Sequence, residues 1–80
     1  MKIKKNIATS DTGFIFNPST GDSFSANPVA SEIILLLKEG KGAKAVKETI
    51  LERYEIDPSS LEKDFDDLIA QLRDNNLLEF

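Results

Sequence analysis

The chain has 80 residues, of which 40% are hydrophobic and 30% charged, and this composition predicts one globular domain over residues 1–80. It contains no Cys, His or Trp, which excludes disulfides, thiolate zinc sites and nucleophiles that an imidazole base would activate. The formal net charge is −4, and the longest apolar run covers only residues 33–37, against the roughly 20 residues of a membrane span. We therefore expect a cytoplasmic protein without a membrane partner.

The first quarter of the chain has the residue pattern of short strands and turns. Ile3 and Ile7 bracket a first predicted strand, and residues 9–13 then have the composition of a turn. The run Phe-Ile-Phe at residues 14–16 predicts a second strand. Pro and Gly within residues 17–22 predict a hairpin loop that returns the chain beside the second strand.

Residues 23–26 alternate polar and apolar side chains, which predicts a third strand paired with the second. Phe24 and Ala26 would then face the interior. Phe24 can belong to the core or line a groove, and the core is favoured because an apolar residue at strand period usually faces inward. The same two interpretations apply to Leu68, which lies at the margin of a later helical stripe.

Two helices follow the predicted sheet. Asn27 is suited to cap the first helix, Pro28 suits its first position, and the apolar pattern continues to Lys38. A glycine-containing turn ends that helix. The second helix is predicted from an apolar stripe at helical spacing, formed by Ala43, Val46, Ile50, Leu51 and Tyr54.

The third helix has two alternative start signals. Asp57 before Pro58 offers one cap, and the sequence Ser-Ser-Leu-Glu at residues 59–62 offers a capping box. The helix is predicted to end near Asp74, and residues 77–80 form an apolar tail expected to pack back on the core. Its apolar stripe consists of Leu61, Phe65, Leu68, Ile69 and Leu72.

The acidic residues of the third helix raise the question of a metal site. Asp64 and Asp67 are three residues apart and share a helix face, whereas Asp66 points elsewhere, and no calcium-loop pattern surrounds them. We therefore favour a solvated acidic face. The serines have only Lys or carboxylate groups available as a base, so we predict no catalytic residue, no metal and no cofactor.

Three segments carry a family resemblance: DFDDLIAQLRDNNLL at residues 64–78, NPVASEI at residues 27–33, and Glu-Gly at residues 39–40. They resemble segments of the PqqD-like family. Residues 64–78 resemble its Asp-Val-x-x-Phe-Leu-x-x-Leu segment ending in Gly-Leu-Leu. Residues 27–33 resemble its Leu-Asn-x-x-Ala-x-x-Ile helix start, and residues 39–40 resemble its Asp-Gly pair. That family contains small peptide chaperones and precursor-peptide recognition elements. The resemblance covers about residues 14–78, and Asn76 stands where the family has Gly.

The resemblance implies an α+β fold of the winged helix-turn-helix type, with a three-stranded antiparallel sheet followed by three helices. It also implies a non-catalytic chaperone that binds the leader of a ribosomally made precursor peptide as an added strand. The chaperone would present this peptide to a modifying enzyme, such as a radical SAM enzyme. The implied peptide-binding residues are Asp22, Ser23, Phe24, Ser25 and Ala26 on the third strand, and Asp64, Asp67, Leu68 and Gln71 on the facing third helix.

Two other functions fit the same fold. A DNA-binding winged helix needs a basic recognition helix, but residues 55–80 carry eight acidic and two basic side chains, so we expect no nucleic-acid partner. A regulatory domain that offers the same strand edge to an unrelated protein is not distinguished by the sequence. We expect a monomer, or a weak dimer if the exposed edge pairs with a second copy.

Overall fold

The computed structural model describes residues 2–10 and 13–79 of the chain. Its elements are β1, Lys2–Ile3; β2, Ala8–Thr9; β3, Phe14–Asn17; β4, Asp22–Ser25; α1, Pro28–Lys38; α2, Ala43–Arg53; α3, Pro58–Asp74; and β5, Leu78–Glu79. Strands β2, β3 and β4 form an antiparallel sheet in that order, and β1 pairs separately with β5. The predicted α+β class, with a three-stranded antiparallel sheet followed by three helices, is confirmed.

The bounds predicted for the first strand are wrong. Residues 4–6 bend away from the strand, and the Ile7 N–H donates a hydrogen bond to the Lys4 carbonyl at 3.1 Å. β1 therefore ends before this bend and β2 begins after it, so Thr9, predicted to lie in a turn, is in a strand. The bend allows Ile3 and Ile7 to enter the core at two different places while the polar residues between them remain hydrated.

The predicted hairpin loop joins β3 to β4. The Asn17 side chain is buried, and its Oδ1 accepts a hydrogen bond from the Ser19 N–H at 3.0 Å. The Asn17 carbonyl accepts a second bond from the Gly21 N–H at 2.8 Å. These bonds close the loop, which is the role expected of Asn and Gly in turns. Residues 11 and 12 of the turn predicted earlier in the chain lie outside the described residues.

Helix α1 has the bounds that its capping residues predict. The Asn27 Oδ1 accepts a hydrogen bond from the Ala30 N–H at 2.8 Å, Pro28 occupies the first helical position, and the helix ends at Lys38. A buried stripe on this helix, formed by Ile33, Ile34, Leu36 and Leu37, lies at the centre of the core. The helix therefore serves as the support on which the other elements pack.

Helix α2 is shorter and its apolar face narrower than predicted. Tyr54 follows the helix in an extended conformation, with its N–H donating to the Ile50 carbonyl at 2.9 Å. Val46 and Ile50 are four residues apart and fully buried. Leu51, predicted to be part of the same stripe, is 39% exposed, since one residue further along the helix is a rotation of about 100° away from the core.

Helix α3 starts at the first of its two predicted start signals, with Asp57 as the cap. The Asp57 carboxylate accepts hydrogen bonds from the Ser59 and Ser60 N–H groups at 3.2 Å each, and Pro58 takes the first helical position. The Ser59 hydroxyl also donates to this carboxylate. This side-chain bond, followed by the Ser60 backbone bond, lowers the pKa of Asp57 below its ordinary value. The apolar face of α3 buries Leu61, Phe65 and Leu72.

The chain leaves α3 through a left-handed residue and returns to the core. Asn76 has φ of 60°, and the Leu77 N–H donates to the Leu72 carbonyl at 2.9 Å, which is the geometry of a Schellman cap. Asn tolerates positive φ better than most residues, which explains why it can stand where the family has Gly. Leu77 and Leu78 are buried, so packing of the tail is confirmed for the described part, which excludes Phe80.

Candidate functional site

Strand β4 forms one edge of the three-stranded sheet. It lies one residue earlier than predicted, and Phe24 and Ala26 are both half-buried against the core. The Ala26 N–H donates to the Gly13 carbonyl at 2.8 Å. Hydrogen bonding alternates from residue to residue along an antiparallel pair. Phe24 and Asp22, at every second position from Ala26, therefore direct their backbone groups toward β3, while Ser23 and Ser25 direct theirs outward. The edge therefore carries unpaired N–H and C=O groups within the described part of the sheet.

A groove lies beside this edge, between β4, the first turn of α1 and one face of α3. Its first part, the strand-side pocket, has a volume of about 150 Å³. Its second part, the helix-side pocket, has a volume of about 620 Å³. Both pockets are lined by Asn27, Ala30, Leu68 and Gln71, so they adjoin each other along the groove.

Most of the residues implied by the resemblance meet in this groove. Phe24, Ser25 and Ala26 line the strand-side pocket, Asp64 and Asp67 line the helix-side pocket, and Leu68 and Gln71 line both. Asp22 and Ser23 line neither pocket, because they lie at the hairpin end of β4.

Two residues combine the roles that the sequence presented as alternatives. Phe24 and Leu68 are each half-buried and packed against the core, and each also lines the groove. One side chain can therefore support the fold with one surface and contact a ligand with the other.

Several lining residues were not predicted from the sequence. The first turn of α1 contributes Pro28 and Val29 to the helix-side pocket, and the connection between α2 and α3 contributes Tyr54 and Ile56. The cap signal at the start of α1 indicated the helix boundary but not that this turn faces α3. For Ile56 the sequence carried no signal, because single apolar residues in loops are common on protein surfaces.

The groove-facing side of α3 has a net negative charge. Asp64, Asp67, Leu68 and Gln71 are spaced i, i+3, i+4 and i+7, which places them along one helix face. Both carboxylates are solvent-exposed, and neither takes part in the ion pairs found among the described residues.

Two cations of the helical layer, Lys47 and Arg53, are engaged with other carboxylates. Lys47 Nζ lies 2.8 Å from the Glu62 carboxylate and 4.7 Å from the centre of the Phe65 ring. Arg53 pairs with Glu32. The negative charge at the groove is thus not neutralised by these two side chains.

Within the described ranges, no three acidic side chains lie together in a way that could hold a metal ion. None of the helices traced in residues 2–10 and 13–79 is both long and apolar enough to cross a bilayer.

The groove offers backbone hydrogen-bonding groups, apolar side chains and two carboxylates, which are the means of binding an extended peptide.

The molecule belongs to a class of small α+β proteins in which an open strand edge lies beside a helix-lined groove. This arrangement is suited to binding peptides. The family model described as Coenzyme PQQ synthesis protein D (PqqD) matches residues 13–78. The chain belongs to this family, which confirms the resemblance predicted from the sequence. The family is non-catalytic, and so is this chain.

A solved structure, described as TbiB1 in complex with the TbiA(beta) leader peptide, is similar to this chain throughout. The TM-score is 0.88 and the sequence identity 30%, with 99% of this chain and 95% of that chain covered. No protein among those with curated functions matches the chain in sequence. The matched region therefore includes the sheet and the three helices.

Proposed function

We propose that this protein is a non-catalytic recognition protein that binds the leader of a ribosomally made precursor peptide. The peptide adds to the free edge of β4 as a further antiparallel strand. The observation that carries this proposal is the unpaired edge of β4 at the wall of the groove. The family and the similarity to a protein bound to a leader peptide support it.

The geometry of strand addition assigns separate roles to backbone and side chains. The outward N–H and C=O groups of Ser23 and Ser25 hydrogen-bond the peptide backbone independently of its sequence. Every second peptide side chain then lies on the sheet face that Phe24 occupies, which is the face of the strand-side pocket. Leu68 and Gln71 on α3 contact these side chains and provide selectivity.

We also propose that the bound peptide is presented to a separate modifying enzyme. The protein is non-catalytic, so the covalent change of the peptide belongs to a partner. The family resemblance favours a radical SAM enzyme as that partner. Co-purification of this protein with the enzyme encoded beside it, with and without leader peptide, measures whether the peptide strengthens their association.

The test of peptide recognition is an amide chemical-shift titration of the full chain. The probe is a synthetic leader peptide from a precursor encoded next to this protein. We expect saturable shifts at Ser23 and Ser25 and on the groove face of α3. A Leu68→Asp variant should weaken binding, while Leu51→Asp, at an exposed position outside the groove, is the matched control. Shifts confined to other surfaces would contradict the proposed site.

A further inference from the structure

The helix-side pocket differs in chemistry from the strand-side pocket, although the two adjoin and share four lining residues. Its apolar part is formed by Val29, Ile33, Tyr54 and Ile56, and its acidic part by Asp64 and Asp67. We infer that this pocket selects a basic residue of the bound peptide, Lys or Arg, whose charged end lies at the two carboxylates and whose aliphatic stem contacts the apolar part. This inference rests on the proposed function, because the occupant is the same peptide.

The position of the pocket places it in the path of a peptide bound to β4. The strand ends at Ser25, and the chain continues through Asn27 into α1. Asn27 and Ala30 line both pockets, as do Leu68 and Gln71 on the opposite wall. A peptide segment paired with β4 therefore continues past Ser25 directly into the helix-side pocket. The basic residue lies in that continuation, next to the strand-paired segment.

The shape and lining of the pocket favour a long side chain with a charged tip. Ile33 is fully buried and Val29, Tyr54 and Ile56 are half-buried, so the inner part of the pocket is apolar. The carboxylates of Asp64 and Asp67 are exposed at its acidic side. Lys and Arg bury their methylene stems on apolar surfaces while their charged ends remain near water, which matches this arrangement.

The charge of the pocket favours a cation over an anion. The two carboxylates contribute about two negative charges, whereas the N-terminus of α1 contributes only roughly half a positive charge. Lys47 is paired with Glu62 and Arg53 with Glu32, so these cations do not neutralise Asp64 or Asp67. Lys63 lies one turn before Asp67 on α3, but it lines neither pocket and forms none of the ion pairs found among the described residues. A peptide carboxylate at this position would be repelled, which adds discrimination against acidic sequences.

The test measures binding of fluorescein-labelled leader peptide to the full chain by anisotropy. The peptide is the one that saturates the amide shifts, with Lys, norleucine or Glu placed in turn at each residue beyond the strand-paired segment. Norleucine retains the aliphatic stem of Lys and removes its charge. Exposed ion pairs change affinity by about two- to fivefold each, so we expect Lys to bind roughly tenfold more tightly than norleucine at one position. Added salt should reduce this ratio.

The matched variants separate the pocket from the overall charge of α3. Asp64→Asn with Asp67→Asn should abolish the preference for Lys over norleucine. Asp66→Asn removes a charge from the same helix at a residue that lines neither pocket, and should preserve the preference.

Two results overturn the inference while the proposed function stands. One is a leader that binds with equal affinity whether Lys or norleucine is present at every position. The other is an equal loss of Lys preference in Asp66→Asn and in the double variant. A leader that fails to bind the unaltered chain at all would overturn the inference and the proposed function together.

Discussion

At the scale of single residues, Gly13 lies just before β3, where the chain passes close to the end of β4 and to α1. Its φ is +84°, and a Cβ at this position would lie 2.5 Å from the Ala26 carbonyl oxygen and 3.4 Å from the Ser31 Cβ. The Gly13 carbonyl also accepts the Ala26 N–H, a bond in the same register as the β3–β4 pairing. The absence of a side chain at Gly13 therefore allows the chain to approach Ala26 closely enough to form this bond.

Gly13→Ala is expected to destabilise the protein strongly. Positive φ costs a non-glycine residue about 1–2 kcal/mol, and the contact with the Ala26 carbonyl oxygen adds to this. Gly21→Ala is the matched control, because Gly21 has a similar φ of +79° but a Cβ added there would meet nothing within 4 Å beyond its chain neighbours. Urea denaturation of both variants measures the difference. Equal losses of stability would show that the close approach at Gly13 is unimportant.

At the scale of elements, the capping residues made the helix starts predictable, but the helix starts did not predict where the groove would form. Asn27 and Asp57 satisfy N–H groups within three residues of themselves, so their signals are local and readable from the sequence. The approach of the first turn of α1 to α3 involves residues about 40 positions apart, such as Ala30 and Gln71, which no local pattern specifies. Leu68 was a candidate for the core or a groove from its place at the margin of the α3 stripe, and the family resemblance made it a peptide-binding candidate. The sequence did not place Tyr54 and Ile56 in the groove.

The edge of β4 supports a prediction about backbone hydrogen bonding. Ser25→Pro removes an N–H that points away from β3, and proline is tolerated at such edge positions. We expect the variant to fold and to bind leader peptide at least about tenfold more weakly, since one hydrogen bond is lost and its partner left unsatisfied. Anisotropy measures the affinity, and circular dichroism checks the fold.

Ser25→Ala is the control for this experiment, because it removes the hydroxyl and keeps the backbone N–H. Its affinity should remain close to that of the unaltered protein. Unchanged binding by a folded Ser25→Pro variant would mean that the peptide does not pair with this edge.

At the scale of the whole molecule, the two ends of the chain stabilise each other. β1 pairs with β5, with Ile3 opposite Leu78, and the Lys4 N–H donates to the Leu77 carbonyl at 3.0 Å. Both leucines are buried in the core that α1 organises. Leu77 also lines the strand-side pocket, so the pairing of β1 with β5 helps to hold one of the residues that form the groove.

Leu77→Ala is expected to cost about 2–5 kcal/mol of unfolding free energy, the usual range for a buried leucine. Leu77 is 2% exposed, whereas Leu51 is 39% exposed, and Leu51→Ala should therefore cost much less. A domain of this length has a total stability of only about 4–12 kcal/mol, so the first variant should be close to unfolding. Chemical denaturation of both variants tests this, and equal stabilities would contradict the role of the C-terminal tail.

The sequence by itself determined the α+β class, the bounds of α1, the β3–β4 hairpin and the membership of a family. The first three depend on short-range chemistry, because side-chain periodicity, caps and turn residues act between positions a few residues apart. The family membership rests on the motif segments at residues 27–33, 39–40 and 64–78. The tertiary structure decided the pairing of β1 with β5, the exposure of Leu51 and the meeting of the two pockets beside β4. These features depend on which surfaces meet when distant segments pack, and a two-residue strand such as β1 has no periodicity from which its partner could be identified.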